Sequence, residues 1–315
     1  MKKYTFQSKK EERFPSMVHI ENTNICNLRC IHCPQSFLSK RPGYKPQFLD
    51  YNLIKKVIDE VAANNSIFRI TADGEPMLQK EFKKMVDYVY KKGIKIFAFN
   101  TNGTLMNQDI IKKLVRPSKR TKIIVEVSLD AFYKDTYDKI RVGSDYIKVM
   151  FNIFNFLRIR RERKVSNVKL VVSIIDQPEA LGEMKNFKRF WKSVADDIVT
   201  RKYVDTKGLM PIKNQRYNKN TKRWPCLVVF KRIMIGFDGR VRFCPDDWKK
   251  ESVIGDIRKN TLKEIWQNGE YKKLRQEHLT NNLAKRIPCN YCKEWQALNW
   301  NYNYEQVIKK LFNKN

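Results

Sequence analysis

The chain has 315 residues, 42% of them hydrophobic, and seven cysteines. This length accommodates one full domain and a second, smaller one. No apolar stretch approaches the roughly 20 residues needed to cross a bilayer, and no apolar targeting segment opens the chain, so we expect no membrane span. An odd number of cysteines argues against a disulfide framework and favours the cytoplasm, where thiols stay reduced.

The formal net charge is +31, which suits an anionic partner such as nucleic acid, a phosphorylated metabolite or an acidic membrane surface. Lysine is scattered along nearly every predicted helix, however, and this pattern is typical of a solvated basic surface. Denser basic runs at residues 158–164 and 201–223 do not alternate with aromatic residues as single-strand binders do. We therefore expect no nucleic-acid partner, although either run could border the entrance for an anionic substrate.

In chain order, residues 1–15 are charged and predict a loosely held lead-in. Asp50 and Asn107 each precede apolar residues at helical spacing and are placed to cap helices, whereas Gly93 closes a helix and Gly143 interrupts one. The predicted helices cover residues 51–64, 81–92, 108–115, 132–164 and 178–191. Short apolar runs predict strands at 17–23, 67–71, 94–99, 123–129, 168–175 and 198–204.

Strands that alternate with helices are typical of parallel strand–helix units. In such folds the functional residues gather at the C-terminal ends of the strands. Candidate segments follow four predicted strands, at residues 26–33, 74–76, 101–104 and 128–130. The sequence therefore predicts an α/β domain with a site at one edge of its sheet.

Cys26, Cys30 and Cys33, at spacings of four and three residues, fit one compact metal site after the first strand. A cubane iron–sulfur cluster normally takes four cysteines and structural zinc takes four ligands, so three thiolates leave one position for a non-protein ligand. The alternative is a zinc site completed by His32. Only the structural context separates the two.

At these residues the sequence resembles the radical SAM superfamily, whose Cys-x3-Cys-x2-Cys loop holds a 4Fe–4S cluster that binds S-adenosylmethionine (SAM). The resemblance implies a partial (β/α)6 barrel that is open on one side, and one-electron cleavage of SAM to a 5'-deoxyadenosyl radical. His32 stands where the family usually carries an aromatic residue. We interpret His32 as packing beside the cluster rather than ligating it.

Residues 73–76, Asp-Gly-Glu-Pro, resemble the family's Gly-Gly-Glu-Pro turn. The resemblance implies that Gly74 and Glu75 hold the methionyl amino group of SAM, although Asp73 replaces the first glycine, the residue that permits close ligand contact. An ordinary turn is the alternative. Asn102 either contacts SAM or satisfies a tight turn.

Ser128 and Arg141 resemble the family's Ser-Leu-Asp segment and the arginine that follows it. The resemblance implies that they hold the ribose or the carboxylate of SAM, and a guanidinium suits two-point contact with a carboxylate. In a chain this basic, Arg141 could also be an ordinary surface residue.

A second set of cysteines, Cys226, Cys244, Cys289 and Cys292, follows a basic, irregular stretch at residues 206–223. We interpret this stretch as a linker, which divides the chain into domains at 1–205 and 206–315. Asp-Gly at 238–239 is a favoured two-residue turn and predicts a β-hairpin over 233–242. Helix is expected within residues 256–266 and at 271–274. Four thiolates suit structural zinc or an iron–sulfur cluster.

This arrangement resembles the auxiliary-cluster domains called SPASM and twitch. A SPASM domain uses more cysteines for two clusters, so four thiols resemble the shorter twitch form with one. The spacings of 18, 45 and 3 residues resemble those of SAM-dependent 2-deoxy-scyllo-inosamine dehydrogenases over about the last quarter of the chain. The resemblance implies a second, fully protein-ligated 4Fe–4S cluster that transfers electrons.

These resemblances imply an oxidoreductase with SAM and two 4Fe–4S clusters that dehydrogenates a small hydroxylated substrate, such as a sugar or an aminocyclitol. The basic runs favour a substrate with phosphate or carboxylate, and a low-potential donor such as flavodoxin or ferredoxin would supply the electron. The sequence assigns no catalytic base. One alternative is a radical SAM peptide maturase, although 25 residues before Cys26 leave no room for an N-terminal peptide-recognition domain. The other is a basic zinc protein that binds nucleic acid without catalysis.

Overall fold

The computed structural model describes residues 4–71, 73–204, 206–207, 209–210, 221–298, 300 and 304–312. Apolar runs rich in isoleucine and valine form the strands of this part of the chain. They are β1 (Met17–Ile20), β2 (Ile67–Ile70), β3 (Ile96–Thr101), β4 (Lys122–Ser128), β5 (Val168–Ile175), β6 (Asp197–Arg201), β7 (Arg232–Ile235), β8 (Arg240–Arg242) and β9 (Val253–Asp256).

Helices connect most of these strands. They are α1 (Lys9–Arg13), α2 (Gln35–Leu38), α3 (Tyr51–Ala63), α4 (Phe82–Lys92), α5 (Gln108–Leu114), α6 (Lys134–Ile140), α7 (Tyr146–Glu162), α8 (Met184–Val194), α9 (Val228–Lys231), α10 (Leu262–Gln267), α11 (Gly269–Thr280) and α12 (Tyr304–Phe312). Short 3-10 turns cover Pro76–Leu78, Pro178–Glu183 and Glu294–Ala297. Among the described residues no helix is long and apolar enough to cross a membrane.

The predicted caps are confirmed. The Asp50 carboxylate accepts from the backbone N–H groups of Asn52 and Leu53, and the Asn107 side chain accepts from the Ile110 N–H. Gly93 ends α4 in the left-handed conformation at φ 62°, which glycine adopts without steric cost. The predicted break near Gly143 separates α6 from α7.

All nine strands form one sheet in the order β6-β5-β4-β3-β2-β1-β7-β8-β9. The strands from β6 to β7 are parallel, and β8 and β9 add antiparallel pairs at the far edge. This arrangement confirms the predicted partial barrel of strand–helix units and the hairpin in the C-terminal region. The sequence did not predict that β7 pairs in parallel with β1, with Arg232 opposite Met17.

Side chains on the strands alternate between two faces. Val18, Phe68 and Phe97 face the helices within the main hydrophobic core. Met17, Ile67 and Ile124 lie on the opposite face, in a second core that is closed by α12 through Val307 and Leu311 among others. We call this side of the sheet, which carries residues 17, 19, 67, 69, 98, 100, 124, 126, 171 and 173, the inner face.

Two predictions about local structure were wrong. Within the predicted loose lead-in, residues 4–15 are held in place, because α1 is capped by Ser8, Phe14 is buried, and Glu11 forms an ion pair with Lys231. The predicted helical range 256–266 was wrong at its start, because Asp256 ends β9. Its part at 262–266 is confirmed by α10, whose N-cap Thr261 forms a capping box with Glu264. Both segments pack against parts of the chain that are distant in sequence.

The division into domains at 1–205 and 206–315 stays a prediction. Since β7 continues the sheet from β1, the two regions share one set of backbone hydrogen bonds. Most of the predicted linker, at residues 211–220, lies outside the described residues.

Candidate active site

The first three cysteines lie in the loop between β1 and α2. The Cys30 carbonyl accepts from the Cys33 N–H at 3.1 Å and from the Ser36 hydroxyl at 2.5 Å, which fixes the turn between them. Burial is the main cause that raises the pKa of Cys26 to about 11 and that of Cys33 to about 12, and charge on Cys30 contributes to both shifts. The three sulfurs therefore share one electrostatic environment, and they would release protons on binding metal.

Gly74 brings the turn after β2 against the backbone of this loop. A Cβ atom at this position would lie 2.5 Å from the Ile25 carbonyl oxygen and 2.6 Å from that of Thr23. The Glu75 N–H donates to the same Ile25 oxygen at 2.8 Å. Only glycine permits this approach.

The Glu75 carboxylate is buried and held by three donors. It accepts from the Thr101 hydroxyl at 2.7 Å, the Asn102 N–H at 2.8 Å and the Met77 N–H at 3.2 Å. Burial raises the pKa of Glu75 and these hydrogen bonds oppose the shift. The carboxylate thereby joins the ends of β2 and β3 beside the cysteine loop.

Asn102 links the end of β3 to the same loop. Its Nδ2 donates to Asn27 Oδ1 at 2.9 Å and lies 4.0 Å from Cys26 Sγ, while its Oδ1 accepts from the Thr104 N–H at 3.0 Å. The structure thus places Gly74, Glu75 and Asn102 together next to the cysteine loop. The Asn102 side chain satisfies a turn, which is one of the two predicted alternatives, and its contact with SAM stays a prediction.

Arg141 contacts the cysteine loop directly. Its Nη1 donates to Cys30 Sγ at 3.5 Å, and its Nη2 forms an ion pair with Asp130. Asp130 also lies 3.3 Å from His32 Nε2. Burial lowers the pKa of His32 to about 4, although Asp130 opposes this shift. His32 is therefore neutral and beside the cysteines, as its interpretation as a packing residue requires.

Ser128 lies apart from this group, at the end of β4. Its hydroxyl accepts from Ser173 Oγ of the neighbouring strand at 3.4 Å. It is half-buried and remains accessible on the side of the sheet where the other segments meet. This hydrogen bond joins Ser128 to β5 and not to the cysteine loop.

The second set of thiols is held around His278. The Cys226 N–H donates to His278 Nδ1 at 3.3 Å, so the ring proton is on Nε2, which lies 3.5 Å from Cys289 Sγ. Burial, followed by the charge of Arg223, lowers the pKa of His278 to about 4. Burial raises the pKa of Cys226 to about 11 and that of Cys289 to about 12, and the charges of Cys226 and Cys292 raise the pKa of other thiols in this set.

Cationic side chains surround this second set. Lys207 Nζ donates to Glu294 at 2.7 Å, and its charge favours the thiolate of Cys244. Arg223 Nη1 donates to the Cys289 carbonyl at 2.7 Å. Among the described residues, no three His, Cys, Asp or Glu side chains are spaced as ligands of a single metal ion.

The inner face carries a buried charge cluster that the sequence analysis did not predict. Glu126 accepts from Arg69 Nη2 at 3.0 Å and forms an ion pair with Arg201 Nη2 at 2.5 Å. Arg69 also donates to Asn100 at 2.6 Å and stacks over Tyr304 of α12. The two arginines lower the pKa of Glu126 despite its burial.

A second cluster joins the two cysteine regions. Arg242 of β8, two residues before Cys244, forms an ion pair with Glu21, five residues before Cys26. Burial, followed by the charge of Asp73, raises the pKa of Glu21 well above its usual value. Burial also raises the pKa of Asp73, which Arg242 opposes. Burial therefore favours the protonated form of both carboxyl groups, and the charge of Arg242 opposes it.

The sequence signal for the cluster of Arg69 and Glu126 is charge within short apolar strands. Arg69 stands in Ile-Phe-Arg-Ile and Glu126 in Ile-Ile-Val-Glu-Val. Burying a charge in a strand is costly unless it is paired or used.

Two family models match the chain. Residues 20–174 match the model described as the radical SAM superfamily, and residues 226–294 match SPASM, described as an iron–sulfur cluster-binding domain. Together they contain both sets of cysteines. The match confirms the predicted resemblance at the residues on which it was based.

Related proteins agree in fold. An uncharacterized protein of Treponema pallidum (strain Nichols) is 22% identical over 294 residues, which are 91% of this chain and 80% of that protein. The structure of Streptococcus suis SuiB bound to precursor peptide SuiA superposes with a TM-score of 0.68 at 14% identity, over 85% of this chain and 68% of that one. BtrN in complex with AdoMet and 2-DOIA gives 0.52 at 16% identity, over 87% and 91%. This chain spans about half or less of several other curated relatives.

Proposed function

Because this chain belongs to the radical SAM superfamily and carries an iron–sulfur domain of the SPASM type, we propose that it oxidises a small hydroxylated substrate, such as a sugar or an aminocyclitol, to a ketone. It is a radical SAM enzyme whose cofactors are SAM, a SAM-binding 4Fe–4S cluster and an auxiliary one. When bound, SAM and its cluster supply a 5'-deoxyadenosyl radical that removes a hydrogen atom. The auxiliary cluster supplies an acceptor for one electron.

Cys26, Cys30 and Cys33 would hold the SAM-binding cluster. Their thiols act on one another electrostatically and leave one coordination position without a cysteine, which fits a group that must also bind SAM. The other four thiols, Cys226, Cys244, Cys289 and Cys292, also interact with one another and fit a cluster ligated fully by protein. The surrounding cations would offset the charge of the thiolates.

Gly74, Glu75 and Asn102 would position SAM beside Cys26, and Ser128 would contact its ribose from the end of β4. For Arg141, the contacts with Cys30 and Asp130 favour a role in holding the cluster ligand over the predicted contact with SAM. An N–H group that donates to a ligating sulfur stabilises the more reduced cluster.

The observation that carries the proposed oxidation is the ion pair between Glu21 and Arg242. It connects the strand that leads into the first cysteine set with the strand that leads into the second. The pair joins the two cysteine regions and, because it is buried, is not itself a place for the substrate. Oxidation of a carbinol to a ketone removes a hydrogen atom from carbon, a proton from oxygen and one electron, so it needs both.

The hydroxyl proton requires an acceptor on the protein. The carboxyl groups of Glu21 and Asp73 are flanked by Arg242 and Lys250. We assign the hydroxyl proton to this pair, because Asp73 directly precedes Gly74 of the SAM turn and its carboxylate can accept a proton. General-base catalysis of this kind contributes about 100-fold or more to rate.

The substrate and the electron source are the proposed partners. The cluster on the inner face has two arginines, Arg69 and Arg201, and one carboxylate, Glu126, so it carries a net positive charge. This charge supports a substrate with a phosphate or carboxylate group. A low-potential carrier such as flavodoxin or ferredoxin would provide the electron that starts each turnover. We also propose a cytoplasmic location, where seven reduced cysteines are stable.

Peptide modification is the second candidate. The likeness to SuiB, whose structure contains a precursor peptide, has a higher TM-score than the likeness to BtrN. The third interpretation is a zinc protein without catalysis. The match of residues 226–294 to an iron–sulfur cluster-binding model argues against it.

Metal analysis tests the assignment of the cysteines. After anaerobic reconstitution we expect about eight iron atoms per chain, four for each cluster. Replacing Cys26, Cys30 and Cys33 with alanine should remove about half of the iron and all cleavage of SAM. About four iron atoms together with one zinc would contradict the proposed electron acceptor, since zinc cannot take up an electron.

Isotope transfer tests the reaction. With a sugar or aminocyclitol deuterated at the reacting carbon, deuterium should appear in 5'-deoxyadenosine together with one equivalent of ketone. Asp73→Asn should slow ketone formation by about 100-fold, whereas Asp109→Asn, an exposed aspartate on α5, should not. Deuterium transfer from peptides, with hydroxylated small molecules inert, would favour the maturase.

A further inference from the structure

A line of exposed apolar side chains begins at the first cysteine loop. Ile31, between Cys30 and Cys33, is 40% exposed, and Val142 is 43% exposed. On α7, Ile147, Phe151 and Phe154 are 62%, 68% and 44% exposed. We call these five residues the apolar strip. Single exposed apolar side chains are ordinary, but a set of neighbouring ones indicates an interaction surface.

The backbone connects the strip to the proposed cluster site. The Arg29 N–H donates to the Val142 carbonyl at 2.9 Å, and the Ile31 N–H donates to the Ile140 carbonyl at 3.1 Å. The segment that enters α7 therefore lies alongside the cysteine loop. Arg141, within this segment, reaches Cys30 Sγ itself.

The strip continues along one side of α7. Ile147, Phe151 and Phe154 have spacings of four and three residues, so their side chains lie on one helical face over about 10 Å. The opposite face is occupied by Val149, Ile153 and others in the main core. Packing within the chain therefore accounts for the buried face of α7 and not for the exposed aromatic residues.

The surroundings of the strip are basic. Lys148 and Arg161 are exposed on α7, and Arg29 and Lys139 are exposed beside the cysteine loop. Nearby acidic groups are already engaged, because Asp145 caps α7 and Glu162 pairs with Arg158. A second copy of this chain would bring the same positive charges together, whereas an acidic partner would complement them.

We propose that the apolar strip is the docking surface for a small, acidic, one-electron carrier protein that reduces the cluster at Cys26, Cys30 and Cys33. The inference rests on the proposed function, since it requires a cluster at these cysteines. One electron leaves the reduced carrier and enters the cluster, and no atom is transferred. The apolar side chains provide contact area, and the flanking cations orient the acidic partner.

The experiment compares two electron sources for SAM cleavage by the intact, reconstituted protein. Reduced flavodoxin requires a docking surface, whereas dithionite, a small chemical reductant, does not. The variants are Phe151→Ser and the double charge reversal Lys148→Glu with Arg161→Glu. The matched controls are Leu279→Ser, which is 45% exposed on α11, and Lys83→Glu with Lys84→Glu, both exposed on α4.

Both strip variants should lower the second-order rate constant with flavodoxin by roughly tenfold or more at low ionic strength, and leave the rate with dithionite unchanged. The controls should change neither rate. Added salt should reduce the native rate towards that of the charge-reversal variant, because screening removes the electrostatic steering. Unchanged flavodoxin rates in both strip variants would overturn the proposal.

Two other outcomes are informative. A native dimer that Phe151→Ser converts to a monomer would show that the strip is an interface between copies, and would overturn the carrier proposal. Native protein that cleaves no SAM with dithionite would refute the proposed function itself, and the docking proposal with it. A rate of SAM cleavage that falls with flavodoxin but not with dithionite would support the docking surface and leave the proposed function unchanged.

Discussion

Replacing Gly74 with alanine is expected to displace the loop that carries the first three cysteines. The new Cβ atom would lie 2.5 Å from the Ile25 carbonyl oxygen, 2.6 Å from the Thr23 carbonyl oxygen and 2.9 Å from the Ile25 nitrogen, whereas ordinary contact begins at 3.4 Å. The Ile25 oxygen must therefore retreat by about 0.9 Å. All three atoms belong to backbone, which cannot move aside as a flexible side chain can.

The free-energy cost follows from two contributions. Overpacking of this kind costs about 1–3 kcal/mol, and loss of the hydrogen bond from the Glu75 N–H to the displaced Ile25 oxygen adds about 1 kcal/mol. With an unfolding entropy of about 2 cal/mol/K per residue over this chain length, the midpoint of thermal unfolding should fall by about 3–6 °C. The displaced loop should also weaken binding of SAM by tenfold or more, because the turn that positions it moves.

Calorimetry of unfolding and titration with SAM measure the two effects. Gly269→Ala is the matched control, since a Cβ atom at Gly269 meets nothing within 4 Å and the residue begins α11. That substitution should leave stability equal or slightly higher. Native stability and native affinity for SAM in Gly74→Ala would refute the close contact between this turn and the cysteine loop.

Three further predictions concern the auxiliary site and the buried charges. Replacing Cys289 and Cys292 with alanine should leave SAM cleavage detectable but stop ketone formation; an unchanged product yield in the folded variant would show that the auxiliary cluster is dispensable. Burial, together with neighbouring arginines, lowers the pKa of His19 well below 6.5, so only the unfolded chain takes up this proton and stability should fall as pH drops below 6.5. His19→Gln should flatten the dependence of unfolding free energy on pH between 7 and 5, and equal slopes would contradict the assignment. Glu126→Gln leaves the buried Arg69 and the partly exposed Arg201 without their shared counterion and should cost about 3 kcal/mol, against less than about 0.5 kcal/mol for Glu162→Gln in an exposed pair; denaturant titration of the unfolding free energy compares the two variants.

Local patterns predicted those parts of the fold whose cause is local. β5 covers the residues expected for it, 168–175, because an apolar run is bounded by polar residues at both ends. The caps at Asp50 and Asn107 depend only on the next three residues. α12 also had a local signal, since Tyr304, Val307, Ile308 and Leu311 recur at helical spacing, and the sequence analysis missed it.

The pairing of β7 with β1 had no such signal. It joins residues 17–20 to residues 232–235, and nothing in either segment specifies its partner. The antiparallel pairing of β7 with β8 was predictable because the Asp-Gly turn between them fixes it locally. Consequently the hairpin was predicted as part of a separate domain, although it extends the sheet of the first.

The candidate site divides in the same way. Cys26, Cys30 and Cys33 are close in sequence, so their spacing is enough to indicate one metal site. Arg141 lies 111 residues from Cys30. Its guanidinium group contacts the Cys30 sulfur with one nitrogen and the Asp130 carboxylate with the other. A guanidinium suits a sulfur, a carboxylate of the protein and a carboxylate of SAM equally well, so only the tertiary structure could favour one of them.

The inner-face charges show how more of the site could be predicted from sequence. A one-residue shift moves every side chain of a strand to the other face, so Arg69 alone does not reveal which side it occupies. The apolar residues on either side of it do, because Phe68 and Ile70 must face the helix-covered core and thereby turn Arg69 inward. The same reasoning turns Glu126 inward between Val125 and Val127. Two opposite charges on the same face of β2 and β4, which both pair with β3, can avoid the cost of burial only by pairing or by binding a ligand. Their strands alone therefore predict a polar centre within the sheet.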